Sequence, residues 1–235
     1  GAPSVERINF KAMKGQTIGV IGGTGSGKSS LVNLIPRLYD ATQGEVLVDG
    51  VNVKDYDIET LRNKVGIVMQ KAVLFKGTIR ENMWMGKKGA TDEQIDEALE
   101  ISQPKEFVDS NQGRLDYVIE QGGKNLSGGQ RQRLTIARAI VRKPDVLILD
   151  DSASALDFAT DAALRKAIRG MNNSPTVFIV SQRAASLMYA DLIIVLDDGQ
   201  VAGMGTHDEL LANCEVYKEI YESQFKKADS EGGVA

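Results

Sequence analysis

The run Gly22-Gly23-Thr24-Gly25-Ser26-Gly27-Lys28-Ser29, continued by Ser30, has the spacing G-x-x-x-x-G-K-[ST]. Glycines there let the backbone curl so that successive N–H groups point inward at phosphate oxygens. Lys28 then reaches the outer phosphates of a nucleotide, and the Ser29 hydroxyl is placed to ligate Mg2+. A second candidate is Asp150, which ends the apolar run Val146-Leu147-Ile148-Leu149. Alone, a carboxylate ending a strand is more often a turn residue or a helix cap. Beside a phosphate loop it reads as a holder of Mg2+ through water, because side chains emerge at the C-terminal edge of an open α/β sheet. The third candidate is Leu126-Ser127-Gly128-Gly129-Gln130, in which Ser127 is suited to cap a helix and so to open a second phosphate-binding helix terminus.

Elements that can position these groups follow from hydrophobic patterning. Ile18–Ile21, Val65–Met69, Val146–Leu149, Val177–Val180 and Leu192–Leu196 are continuously apolar, which predicts strands buried on both faces. Between them lie helical patterns, so a mostly parallel sheet flanked by helices is expected. The phosphate loop follows the first strand and precedes a helix expected to run through Leu38. Asp49-Gly50, between Glu45-Val46-Leu47-Val48 and Val51-Asn52-Val53, predicts a tight hairpin and a small antiparallel sheet. From about Lys71 to Asn125 buried strands give way to helix signals, including the capping pattern Thr91-Asp92-Glu93-Gln94. A helical subdomain is expected there. The helix opened by Ser127 carries Leu134, Ala137 and Val141 on one face and is stopped by Pro144. Residues 226–235, which contain the polar Ser230-Glu231-Gly232-Gly233 stretch, are expected to form a disordered tail.

With Leu126 to Gln130 beside the phosphate loop, the sequence resembles the ABC (ATP-binding cassette) ATPase family over about residues 5 to 225. The resemblance implies a RecA-like P-loop NTPase core of α/β class, with an antiparallel β subdomain and an inserted α-helical subdomain, using ATP and Mg2+. It assigns Gln70 as a loop glutamine touching Mg2+ with Ser29 and Asp150. It also assigns Ser154-Ala155-Leu156-Asp157 as a segment crossing a dimer interface, although Asp157 also suits a plain helix cap. A head-to-tail dimer is implied, in which Ser127, Gly128, Gly129 and Gln130 cap ATP held by the other chain. Leu61 to Gln70 and Leu74 to Asn82 look exporter-like. In exporters a membrane-spanning half normally precedes the cassette. The resemblance therefore implies a transmembrane domain of the same transporter as partner and a place at the cytoplasmic face of the cell membrane. Met83, Trp84 and Met85 form an apolar cluster suited either to receive a coupling helix or to pack inside the helical lobe.

Three positions depart from the family. Its members usually have glutamate after the strand-ending aspartate that Asp150 matches, where this chain has Asp151, and a histidine contacting the γ-phosphate, where this chain has Gln182. A carboxylate shorter by one methylene stands about 1.5 Å farther back, whereas a base must come within roughly 2.6–3.2 Å of its proton. Glutamine hydrogen-bonds phosphate but carries no imidazolium charge. Catalytic roles are expected at Asp151, Gln182 and Lys28, and those of Asp151 and Gln182 are expected to be served incompletely. The pattern is similar to the degenerate-site subunit of heterodimeric exporters, with a different chain carrying the consensus site as partner. The family also stacks an aromatic on adenine about thirty residues before the phosphate-loop lysine, and Lys28 stands too near the start of the chain to have one.

Composition excludes several classes. A net charge of -4 argues against a broad grip on nucleic acid, and no nucleic-acid partner is expected. Lys28 and Ser127 are too close in sequence for the long coiled coil of DNA-maintenance relatives. A single cassette offers neither the tandem arrangement nor the basic linker of translation factors. Cys214 is the sole cysteine, so no internal disulfide forms, and no stretch approaches the roughly 18 apolar residues of a membrane span. The only histidine, His207, lies in Gly205-Thr206-His207-Asp208-Glu209-Leu210, a helix lead-in, and is expected to be structural. A regulatory module that binds ATP outside transport stays open as the alternative.

Overall fold

The computed structural model describes residues 4–151 and 156–231, with the side chains of Phe158 and of 225–231 outside that description. In chain order the first elements are β1 (Thr17–Gly22), α1 (Lys28–Asn33), β2 (Leu47–Val48), β3 (Val51–Asn52), α2 (Ile58–Lys64) and β4 (Val65–Val68). Then come β5 (Gly77–Thr78), α3 (Ile79–Trp84), α4 (Asp92–Ile101), α5 (Lys105–Ser110), β6 (Val118–Ile119), α6 (Gly128–Ile140) and β7 (Val146–Asp150). The chain finishes with α7 (Phe158–Arg169), β8 (Thr176–Ser181), β9 (Leu192–Asp197), β10 (Gln200–Gly205), α8 (His207–Asn213) and α9 (Glu215–Glu231). Two compact units result, one from Gly1–Arg62 with Thr176–Ala235 and one from Asn63–Pro175.

In the discontinuous unit β1 is flanked by parallel partners, Thr17 to Ile21 facing Val177 to Ser181 of β8, and Ile18 to Gly22 facing Leu192 to Leu196 of β9. β10 closes the row antiparallel to β9, with a bulge between Val201 and Gly203. All six residues of β1 and of β8 are buried, as their unbroken apolar runs require. A fully buried isoleucine such as Ile18 or Ile193 contributes roughly 1.5–3 kcal/mol, so these strands are the anchor of the phosphate loop. The β2–β3 hairpin turns on Asp49 and Gly50, both at positive φ (51° and 77°), the pair of conformations that a two-residue turn of matching twist demands. Beneath it Val48, Val53 and Leu61 pack with Ile35, Val46 and Tyr56.

α1 stops at Asn33, short of the expected Leu38. Pro36 has no N–H to continue the ladder, and Arg37 turns to positive φ (53°). The chain continues through tighter turns, with Ile35 N–H donating to Val32 O at 3.2 Å and Arg37 N–H to Leu34 O at 3.1 Å.

In the continuous unit β4 and β7 run parallel, Val65 to Val68 facing Val146 to Leu149. Residues 71–125 carry α3, α4 and α5 with the two-residue ladder of β5 and β6. Thr91 caps α4 reciprocally with Gln94, and Thr78 caps α3 with Glu81. Met83 is buried, while Trp84 and Met85 remain partly exposed, the Trp84 indole N–H donating to Ala90 O at 3.0 Å. α6 ends at Ile140, four residues before Pro144.

The C-terminal helices belong to the discontinuous unit. α9 carries regular backbone to Glu231, into the stretch expected to be a disordered tail, and residues 232–235 lie outside the described residues. His207 is structural as expected. Its Nδ1 lies 2.8 Å from the Tyr217 hydroxyl, and its ring packs against Tyr217 and Tyr221. Burial, with a smaller push from Tyr221, raises the Tyr217 hydroxyl to about 12. An unfolded tyrosine ionises near 10, so the folded chain keeps a proton that the unfolded chain loses between those values. This contribution is complete below pH 10 and is lost as pH rises toward 12, on the order of 2 kcal/mol. Urea midpoints from pH 9 to 12 should fall accordingly, and Tyr217→Phe should flatten that part of the curve. An unchanged slope in the variant would contradict the assignment.

Candidate functional site

Within the discontinuous unit, β1 delivers the chain into the phosphate loop with no room to spare. A Cβ on Gly22 would stand 2.2 Å from Leu196 O and 2.5 Å from Ser26 Oγ. Gly27, at φ 92°, caps α1 with its backbone alone, and a Cβ there would meet Val5 Cγ1 at 2.4 Å. Open space surrounds Gly23 and Gly25 on the other side. The Lys28 ammonium is buried and folds back on the loop, donating to Gly22 O at 2.8 Å and Gly23 O at 2.6 Å, with Ser26 Oγ at 3.5 Å. The loop thus holds its charge at the base of a curl instead of in solvent.

That curl borders a cleft of about 320 Å³ lined by Gly25, Gly27, Lys28, Ser29 and Ser30, and also by Ser4, Asp198 and Gly199. Sequence reasoning missed the last three. Asp198-Gly199 was legible as a hairpin signal between Leu192–Asp197 and Gln200–Gly205. Because β9 runs parallel to β1, that turn emerges at the same edge as the phosphate loop. Nothing in the sequence marks Ser4, whose carbonyl lies where a Cβ on Gly27 would reach 2.6 Å.

Gln182 follows β8 in the same unit and is exposed. Its backbone is fixed: Arg183 N–H donates to Ser181 Oγ at 2.9 Å, and the Gln182 carbonyl accepts from Gln224 Nε2 at 2.7 Å.

The continuous unit brings Gln70 and Asp151 together. The register that sets Val68 beside Leu149 makes the chain after β4 and the chain after β7 leave at one edge. There Gln70 Nε2 donates to Asp151 Oδ2 at 3.4 Å, a long contact for a short carboxylate. Asp150 is buried at the end of β7. Asp151 has φ 46°, a left-handed conformation that aspartate tolerates better than most residues. Ser127 caps α6: its Oγ accepts from Gln130 N–H at 3.2 Å while Gln130 Oε1 accepts from Ser127 N–H at 2.9 Å. Gly128, the first residue of α6, is exposed with nothing near a built Cβ, and Gly129 is half-buried, so this helix opening faces free space. Asp157 caps α7 through Thr160 N–H at 2.9 Å, while Ser154 and Ala155 lie outside the described residues. Backbone donation from Thr160 holds the Asp157 carboxyl below the usual aspartate range.

Residues 5–154 match the ABC transporter family. The chain belongs to that family. An ABC transporter ATP-binding protein of Bacillus subtilis, YfiB, is 44% identical over 228 residues, 97% of this chain and 39% of the relative. A Staphylococcus aureus protein named as a candidate multidrug export ATP-binding/permease protein is 40% identical over 223 residues, 95% of this chain and 39% of the relative. Among solved structures, a bacterial Atm1-family ABC exporter with ATP bound superposes with a TM-score of 0.88 at 32% identity, covering 94% of this chain and 39% of that one. The chain therefore is an ABC transporter ATP-binding domain related to exporter-type domains, with their P-loop NTPase fold, and spans about two fifths of the relatives it matches.

The residues of this ABC domain fit a nucleotide with its metal. Open space beside Gly23 and Gly25 and the adjoining ammonium suit polyphosphate, as does the exposed Ser29 at the cleft. Among the described residues no three His, Cys, Asp or Glu side chains converge as a metal cage. A Mg2+ ion that takes phosphate and water oxygens needs none, since it is usually held by one or two protein groups. No helix among the described residues is long and apolar enough to cross a membrane.

Proposed function

We propose that this chain powers an exporter by binding Mg-ATP in the Gly22 to Ser30 loop, and that its own site hydrolyses slowly. Ser29, Gln70 and Asp150 would hold the metal in this reading, and Mg2+ would supply charge neutralisation at the phosphates. Lys28 exchanges its carbonyl acceptors for phosphate oxygens. Asp151 stands as the base or water-positioning group, and Gln182 as the neutral contact to the terminal phosphate. The observation that carries the reading is an intact phosphate curl in a chain that has Asp151 and Gln182 where the family usually has glutamate and histidine.

Dimerisation is head to tail, with a different chain holding a consensus site. The exposed opening of α6 at Ser127 to Gln130 is the surface this chain lends to that partner's ATP. The membrane-spanning half of the transporter is the second partner, at the cytoplasmic face of the membrane. A regulatory ATP-binding module would share the loop but not the loan.

A mixing experiment tests this. Turnover should rise when the chain is combined with a cassette carrying glutamate and histidine at the positions of Asp151 and Gln182. Ser127→Arg should lower the combined rate at least about tenfold while leaving Mg-ATP binding by this chain unchanged, since a bulky cation blocks the shared helix opening. A combined rate equal to the sum of the separate rates, indifferent to Ser127→Arg, would favour the regulatory module.

A further inference from the structure

Gln182, at the position of the family's γ-phosphate histidine, opens a switch segment after β8 that is held from α9. Gln224 Nε2 donates to the Gln182 carbonyl at 2.7 Å, and Gln224 Oε1 accepts from Ala184 N–H at 2.9 Å. One side-chain amide thus grips the backbone on both sides of Arg183, as a peptide group grips a neighbouring strand. Ser181 Oγ completes the hold by accepting from Arg183 N–H at 2.9 Å. Ala184 and Leu187, just beyond, are fully buried, and a Cβ on Gly19 would touch Leu187 at 3.2 Å, so the segment has little slack against β1.

The placement of Gln224 is built into α9. Tyr217, Tyr221 and Gln224 are spaced four and three residues apart, which puts them on one face of a helix. Tyr217 is fully buried and bonded to His207, and Tyr221 packs on the same imidazole. Those contacts fix the rotation of α9, and that rotation aims Gln224 at the switch segment. Glutamine has the length and the paired donor and acceptor for the task, whereas alanine has neither and glutamate has only acceptors at neutral pH.

We propose that Gln224 is a positioning residue for the switch loop, through which α9 sets how well Gln182 meets the terminal phosphate of ATP. The proposal rests on the reading of Gln182 as a phosphate contact. ADP lacks that phosphate, so the clamp distinguishes the two nucleotides without touching either. Anything that lifts α9 from its seat would slacken the switch segment, which makes the C-terminal helix a handle on the ATP state of the site.

The test uses the full chain with Gln224→Ala, Gln224→Glu, Gln182→Ala and the Gln182→Ala/Gln224→Ala pair. Hydrogen exchange at the Ala184 amide should accelerate about tenfold in Gln224→Ala and change little in Gln224→Glu, which keeps the acceptor. Calorimetric affinity for Mg-ATP should fall about fivefold in Gln224→Ala with Mg-ADP unchanged, the size expected for loss of one or two net hydrogen bonds. In the Gln182→Ala background Gln224→Ala should cost nothing more, because both act through one contact. Equal losses for ATP and ADP would mean general destabilisation and overturn the proposal. So would faster Ala184 exchange with an unchanged ATP to ADP ratio, or additive losses in the pair. A wild-type chain that binds neither nucleotide would instead overturn the functional reading beneath it.

Discussion

Asp151→Glu combined with Gln182→His should raise ATP turnover by this chain on the order of a hundredfold, because about 1.5 Å of reach and one positive charge return together. Gln70 Nε2 lies 3.4 Å from Asp151 Oδ2, so the change is made beside the proposed metal-side glutamine. Glutamate must enter at φ 46°, a conformation in which longer side chains pay more than aspartate, on the order of 1 kcal/mol. That cost bears on stability and is small beside the gain in rate. Steady-state phosphate release, measured alone and with a consensus partner, checks the expectation. Turnover already at the level of consensus cassettes, and unmoved by the double change, would remove the case for a slow site.

Lys28→Met should weaken Mg-ATP binding about a hundredfold. A buried ammonium that contacts phosphate makes charge-assisted hydrogen bonds, each worth roughly twice a neutral one. Methionine fills a similar volume but cannot donate, which leaves Gly22 O and Gly23 O without their present donor. Stability is expected to drop by about 1–3 kcal/mol, since the buried Gly22 carbonyl loses its donor. Calorimetric titration beside a urea denaturation curve separates the two effects. Affinity within threefold of the parent would show that the loop backbone alone carries the nucleotide.

The sequence made the chemistry legible where chemistry and backbone geometry impose the same residues. Gly22 and Gly27 cannot bear a side chain beside Leu196 O and Val5, and the loop's spacing announces that. The five apolar runs become strands because burial on both faces leaves no polar position to alternate. Asp49-Gly50, Thr91-Gln94 and Ser127-Gln130 were readable because turns and caps are local. Errors arose where a local rule met a neighbour: the helix expected through Leu38 yields at Pro36. Gln224 was invisible for a different reason. Its role depends on which face of α9 the Tyr217 and His207 contact turns inward, and periodicity alone does not say what stands opposite. Ser4 is reached by a contact that no pattern encodes.

The discontinuity of the unit that holds the phosphate loop has a consequence for synthesis. Thr17 N–H finds its partner, the Asp191 carboxylate at 2.7 Å, only 174 positions later, and both strands flanking β1 come from the same late part of the chain. At about 5–20 residues per second a ribosome takes roughly 10 to 35 s to cover that interval. During that time an apolar strand and its glycine-rich loop wait without neighbours, while the intervening 63–175 unit already has its whole sequence and can condense. The strand that leads into the phosphate loop is thus made before the unit 63–175 and completes its pairing after it.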